Sequence, residues 1–83
     1  MTRRAPPAPF ERNAAAQKSL GITGQEMKVL ERLAAGQSNK EMARDLGLSP
    51  HTVKTHIANV FAKLDVARRT QAVGKARELQ LIP

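Results

Sequence analysis

The sequence predicts an all-α fold, and three observations predict it. From Leu20 onward apolar residues recur at helical spacing. Capping boxes and Ser, Pro and Gly punctuation bracket these runs. No segment alternates apolar and polar residues as a half-buried strand would. The expected architecture is a four-helix bundle with a flexible N-terminal arm.

Residues 1–19 read as that arm. Three of the five prolines (Pro6, Pro7, Pro9) lie there with Arg3, Arg4 and several alanines, a composition that punctuates structure rather than building a core. Only Asn13 to Lys18, NAAAQK, suits a short helical stretch. Phe10, the lone aromatic of this region, reads as an incidental linker residue.

Residues 20–83 read as the folded domain. Thr23-Gly24-Gln25-Glu26 has the form of a capping box, in which the Thr hydroxyl takes a free amide and the Glu carboxylate reaches back. Met27, Leu30, Leu33 and Ala34 then share one face until Gly36. Ser38-Asn39-Lys40-Glu41 is a second capping box, followed by Met42, Ala43 and Leu46 and ended by Gly47. Ser49 caps a third helix with Pro50 at its first position, where the missing amide costs nothing. Ala72, Val73, Ala76 and Leu79 mark a fourth helix with a weaker start signal.

The second and third of these form a helix-turn-helix. Ala43 is small enough for close helix packing, Gly47 suits a left-handed turn and Val53 anchors the second helix in the core. At about 100° per residue, Val53, Ile57, Val60, Phe61 and Leu64 make a stripe that faces the core. Opposite lie His51, Lys54, Thr55, Ala58 and Ala62, small residues with one long cation. A helix entering a DNA major groove needs short side chains for close approach and a few groups that reach base edges. Lys54 can donate to guanine, and Thr55 and Ala58 can bring methyls to a thymine methyl. Thr52, His56, Asn59 and Lys63 point sideways, where phosphates would run.

Charge agrees. Fourteen Lys and Arg against seven Asp and Glu give a formal charge of +7 over 83 residues. From Pro50 to Arg77, Lys54, Lys63, Arg68, Arg69, Lys75 and Arg77 stand against a single acid, Asp65, as a polyanion-binding face requires. The chain has no cysteine, hence neither disulfides nor a thiolate metal site. His51 and His56 lie about 140° apart on their helix, which argues against a shared metal. No nucleophile–base pair, paired carboxylates or Gly-rich phosphate loop is present, so neither catalysis nor a cofactor is expected. No apolar run has the length of a membrane span or signal-peptide core, and a soluble cytoplasmic protein is the expectation.

From about Leu20 to Ile82, roughly three quarters of the chain, the sequence resembles the LuxR-type helix-turn-helix domain of LuxR-, FixJ- and NarL-like regulators. The matching residues are Ile22-Thr23 with Glu26, Val29-Leu30, Ala35-Gly36, Ser38-Asn39-Lys40-Glu41, Ala43, Leu46-Gly47-Leu48-Ser49, Thr52-Val53-Lys54, His56, Asn59, Lys63-Leu64, Arg69, Ala72-Val73 and Leu81-Ile82. The resemblance implies a transcriptional regulator that binds double-stranded DNA as a homodimer paired through its last helix, with RNA polymerase as a further partner. By position, Lys54, Thr55 and Ala58 would face bases. Asn39, Lys40, Thr52, His56, Lys63 and Arg69 would approach the phosphates or support residues that do. Val73 and Arg77 would lie near the two-fold interface.

Three departures stand out. Gln25 replaces the family's usual Arg, Ala67-Arg68 replaces a polar cap, and Gly74 sits inside the last helix, where it costs roughly 1 kcal/mol relative to Ala. Either dimerisation completes a marginal helix, or Gly74 admits a close partner. Beginning at Met1, the chain reads as a stand-alone regulator rather than an excised output domain. Two other readings compete: a promoter-recognition module like the last region of a sigma factor, and a protein-interaction module that uses the same fold without reading DNA.

Overall fold

A computed structural model describes residues 10–83; Arg3, Arg4, Pro6, Pro7 and Pro9 of the expected arm lie outside the described residues. Five helices follow in order: α1 (Ala14–Leu20), α2 (Gly24–Ala34), α3 (Asn39–Leu46), α4 (Pro50–Leu64) and α5 (Arg69–Glu78). The four helices expected from the pattern are α2 to α5, and α1 occupies the NAAAQK stretch. No strand occurs among the described residues, and no helix of theirs is long and apolar enough to cross a membrane.

Each start has its chemistry. The Thr23 hydroxyl accepts from the Glu26 amide at 3.2 Å and the Glu26 carboxylate accepts from the Thr23 amide at 2.9 Å. Ser38 and Glu41 repeat this at 3.2 and 2.9 Å. Ser49 accepts from the Thr52 amide at 3.1 Å. At α5, Arg68 has no acceptor to offer, and Gln71 compensates: its side-chain oxygen takes the amides of Ala67 and Arg68, each at 3.1 Å. This is the returning half of a capping box working without its Ser or Thr.

α4 packs against α2, α3 and α5. Val53, Val60 and Leu64 are buried, whereas Ile57 and Phe61 are only partly so. The helical angle explains the difference: Val60 and Leu64 lie within about 20° of Val53, but Ile57 is about 40° and Phe61 about 80° away, on the flank. Met27, Val29, Leu30 and Leu33 of α2, Met42 of α3 and Ala72 and Ala76 of α5 complete the wall. Past α5, Gln80 takes a left-handed φ of 59°, which turns Leu81 and Ile82 back into the core.

α1 is tied on from outside. The Asn13 amide donates to the Gln80 carbonyl at 2.9 Å, the Gln17 side chain donates to the Ile22 carbonyl at 3.1 Å, and Arg12 pairs with Glu31 at 2.6 Å. Ala16 and Leu20 lean on the core.

One ion pair crosses the interior. The Lys63 ammonium donates to the Glu26 carboxylate at 2.6 Å and to the Gly21 carbonyl at 2.7 Å, joining the end of α4 to the start of α2. Glu26 is only 3% exposed. Burial pushes its carboxyl up, but the Lys63 hydrogen bond and charge and the Thr23 amide outweigh that and leave it below the ordinary value.

Two outcomes follow for stability. A carboxyl that titrates lower folded than unfolded stabilises the fold above its unfolded pKa, and loses that contribution as pH falls through the folded value. Lys63→Ala should cost about 1–3 kcal/mol, between the ranges for exposed and buried pairs. In urea titrations it should also make the acid loss of stability shallower than in the wild type. Equal acid slopes would mean that Lys63 does not hold the Glu26 charge. Gly74 has nothing within 4 Å of where a Cβ would sit. Gly74→Ala should therefore stabilise the dilute protein by about 0.5–1 kcal/mol in the same assay.

Candidate nucleic-acid interface

The helix starts of α3 and α4 create the candidate site. Gly47 ends α3 with a left-handed φ of 66°, and the Leu48 amide returns to the Ala43 carbonyl at 2.9 Å. Ser49 then opens α4 at once. The two helix starts border a shallow concavity of about 550 Å³ lined by Asn39, Lys40, Pro50, His51 and Lys54. Three of the expected contact residues, Asn39, Lys40 and Lys54, thus come together on one surface, joined by His51.

Lys54, Thr55 and Ala58 are all exposed on the face of α4 opposite its buried stripe. The Thr55 hydroxyl donates to the His51 carbonyl at 3.1 Å. Thr52 is half-buried, its hydroxyl 2.8 Å from that of Ser49. His56 is also half-buried; its Nδ1 is enclosed and has no hydrogen-bond partner among the described residues. Any outward contact from this ring would go through Nε2. The Ser38 amide and hydroxyl hold the Glu41 carboxyl below its ordinary pKa, so this acid is directed at its own cap rather than at the concavity.

Lys63 and Arg69 point elsewhere. Lys63 lies about 80° from Val53 on the flank that meets α2, where Glu26 and Gly21 take its ammonium. The Arg69 guanidinium donates to the Leu33 carbonyl at 3.0 Å and to the Gln37 carbonyl. These carbonyls end α2 and begin the turn to α3, where a cation is favoured by the helix dipole. Gln37 in turn donates from its side chain to Asp45 at 2.8 Å. Arg69 therefore fixes the turn that delivers Ser38, Asn39 and Lys40. The sequence pattern alone did not single out Gln37 or Gln71, though an Arg68-x-x-Gln71 spacing carried half of a capping signal.

Val73 is half-buried and Arg77 exposed, one turn apart on α5, with the Arg77 Nε donating to the Pro83 carbonyl at 3.3 Å. A separate groove of about 660 Å³ runs along the face that carries Ala67, Gln71 and Gly74. Among the described residues no three His, Cys, Asp or Glu converge as a metal site.

Comparison with known proteins places the chain in a family. A family model described as bacterial regulatory proteins, luxR family, matches residues 21–76. The chain is 52% identical over 56 residues to the uncharacterized transcriptional regulatory protein YhcZ of Bacillus subtilis (strain 168), covering 68% of this chain and 26% of that protein. It is 47% identical over 57 residues to the CsgBAC operon transcriptional regulatory protein of Escherichia coli (strain K12), covering 69% and 26%. It is 43% identical over 61 residues to the transcriptional regulatory protein LiaR of Bacillus subtilis (strain 168), covering 74% and 29%. The matched segment therefore spans less than a third of each of these relatives.

Arg69→Ala removes charge-assisted bonds to two carbonyls, each typically worth about 1.5–3 kcal/mol. The expected outcome is a clear drop in thermal stability. Hydrogen exchange should rise around Gln37 to Lys40 before it rises in α4; uniform acceleration would count against a local clamp.

Proposed function

The chain belongs to the luxR family of bacterial regulatory proteins, and from that premise we propose that residues 20–83 form a sequence-specific DNA-binding domain of a transcriptional regulator that lays α4 in the major groove. The observation that carries this reading is the division of α4 into two faces. Val53, Val60 and Leu64 are buried, and Lys54, Thr55 and Ala58 stand exposed beside the concavity that holds Asn39 and Lys40.

The roles follow from chemistry. Lys54 donates to guanine O6 or N7, and the short side chains of Thr55 and Ala58 let the helix backbone close on the bases. Asn39, Lys40, Thr52 and His56 surround this face and position the protein on phosphates. Lys63 and Arg69 act from within, holding the end of α4 and the turn from α2 to α3 in place. α1 belongs to the packed domain, and Arg3 and Arg4 ahead of it add to the basic charge of the sequence.

We assign dimerisation to α5, with Val73 and Arg77 at the contact. Supporting this are the exposed outer side of that helix and Gly74, which leaves open space where another residue would place a Cβ. A two-fold pair would read two half-sites at a fixed helical spacing.

Selection from random duplex DNA should enrich such paired half-sites; enrichment of no sequence would reject the reading. On the selected site, Lys54→Ala should cost about 1–3 kcal/mol while sparing non-specific affinity. Lys40→Ala should weaken all duplexes alike and reduce the salt slope by about one. An unchanged ratio of specific to non-specific affinity in Lys54→Ala would remove that residue from base reading.

A further inference from the structure

The groove of about 660 Å³ along α5 holds the acids that the rest of the fold leaves unused. From Asn13 onward, Glu26 pairs with Lys63, Glu31 with Arg12, and Asp45 with Gln37 and Arg32, while Glu41 caps its own helix. Asp65 and Glu78 have no side-chain partner among the described residues, and both line this groove. Asp65 stands where α4 hands over to α5 and Glu78 ends α5, so the two acids mark opposite ends.

Between them stand donors. The Gln71 side-chain oxygen is taken by the amides of Ala67 and Arg68, which leaves its amino hydrogens to donate. Lys75 lines the same groove and forms no ion pair with either acid. At Gly74 nothing lies within 4 Å of where a Cβ would stand, so the floor is open. This arrangement suits an extended segment with bare carbonyls along its length and a cation at its tip.

The chain carries such a segment ahead of α1. Arg3-Arg4-Ala5-Pro6-Pro7-Ala8-Pro9 lies outside the described residues. Its prolines offer carbonyls without N–H groups, and this composition favours extended chain, which costs less to order on docking. The Asn13 amide bonds the Gln80 carbonyl at 2.9 Å, which sets the root of the segment beside the Glu78 end of the groove. From Arg12, held by Glu31, back to Arg4 an extended proline-rich chain spans about 25 Å. Along α5 the rise from Glu78 to Gln71 is only about 10 Å, so the arginines can reach Asp65. The DNA-facing concavity lies further off, because α1 meets α4 through Gly21 and Lys63, at the opposite end of that helix.

We propose that residues 3–9 lie along the α5 groove of their own chain, with Arg3 and Arg4 at Asp65 and the proline carbonyls facing Gln71 and Lys75. So placed, the segment covers Gly74, and a second copy pairing through α5 must displace it. This gating role rests on the assignment of pairing to α5; the docking does not.

The chain has no cysteine, so Thr2→Cys takes a single nitroxide label in the full-length protein. In dilute isotope-labelled protein the label should broaden the amide signals of Ala67, Gln71 and Gly74 most strongly and leave those of Asn39, Lys40 and Lys54 sharp. Asp65→Asn suits the left-handed φ of 55° at that position and removes the charge. It should return most of the lost signal, as should Arg3→Ala combined with Arg4→Ala; equal melting temperatures establish that folding is unchanged. The docking is overturned if broadening is uniform, if it centres on Asn39 and Lys54, or if neither neutralisation relieves it. Broadening seen only between separately labelled molecules also overturns it, since a second copy then fills the groove. Sedimentation reads the gate: removing residues 1–9 should raise self-association at equal concentration. Unchanged sedimentation beside clear broadening overturns the gate and upholds the docking.

Discussion

A helix that is to touch a large partner must be gripped by less than half of its circumference. α4 meets that constraint with Val53, Val60 and Leu64, which fall within about 40° of one another and are almost wholly out of water. Each contributes roughly 1.5–3 kcal/mol of burial, against a wall that α2, α3 and α5 provide. Because the grip is so narrow, the arc from Lys54 through Ala58 to Thr55 stays free without an exposed apolar patch. The small size of these residues is the other half of the same arrangement, since it leaves the backbone of α4 close to the surface.

Charge divides into two populations that composition does not separate. Lys40 and Lys54 are exposed beside the concavity, where they can answer a polyanion. Lys63 and Arg69 satisfy carbonyls and a buried carboxylate inside the protein. The inner pair does structural work at the seams: Lys63 where α4 ends against the start of α2, and Arg69 where α2 hands over to α3. The formal +7 therefore overstates the charge that reaches the surface facing a ligand.

Much of this was legible from residue order. Capping boxes are local, so Thr23 with Glu26 and Ser38 with Glu41 located two helix starts correctly. Gly47 and Ser49 fixed the turn for the same reason. The outward face of α4 followed from helical angle alone. The destinations of Lys63 and Arg69 did not, because their partners lie 37 and 42 residues away for Lys63 and 32 and 36 for Arg69. A cation on a helix flank looks the same in sequence whether a phosphate or a buried glutamate awaits it. Nor could periodicity reveal how α1 attaches, since its bonds run to backbone atoms of Gln80 and Ile22. Gln71 was overlooked because a returning cap without its Ser or Thr is half a signal.

The bond from the Asn13 amide to the Gln80 carbonyl brings the two ends of the described fold together. A unit whose entry and exit adjoin can be spliced behind, ahead of or within another domain without stretching its own core. In that sense the closure makes this fold a portable cassette: whatever polypeptide is joined to it enters and leaves at one pole, and the five helices between need no redesign to carry it.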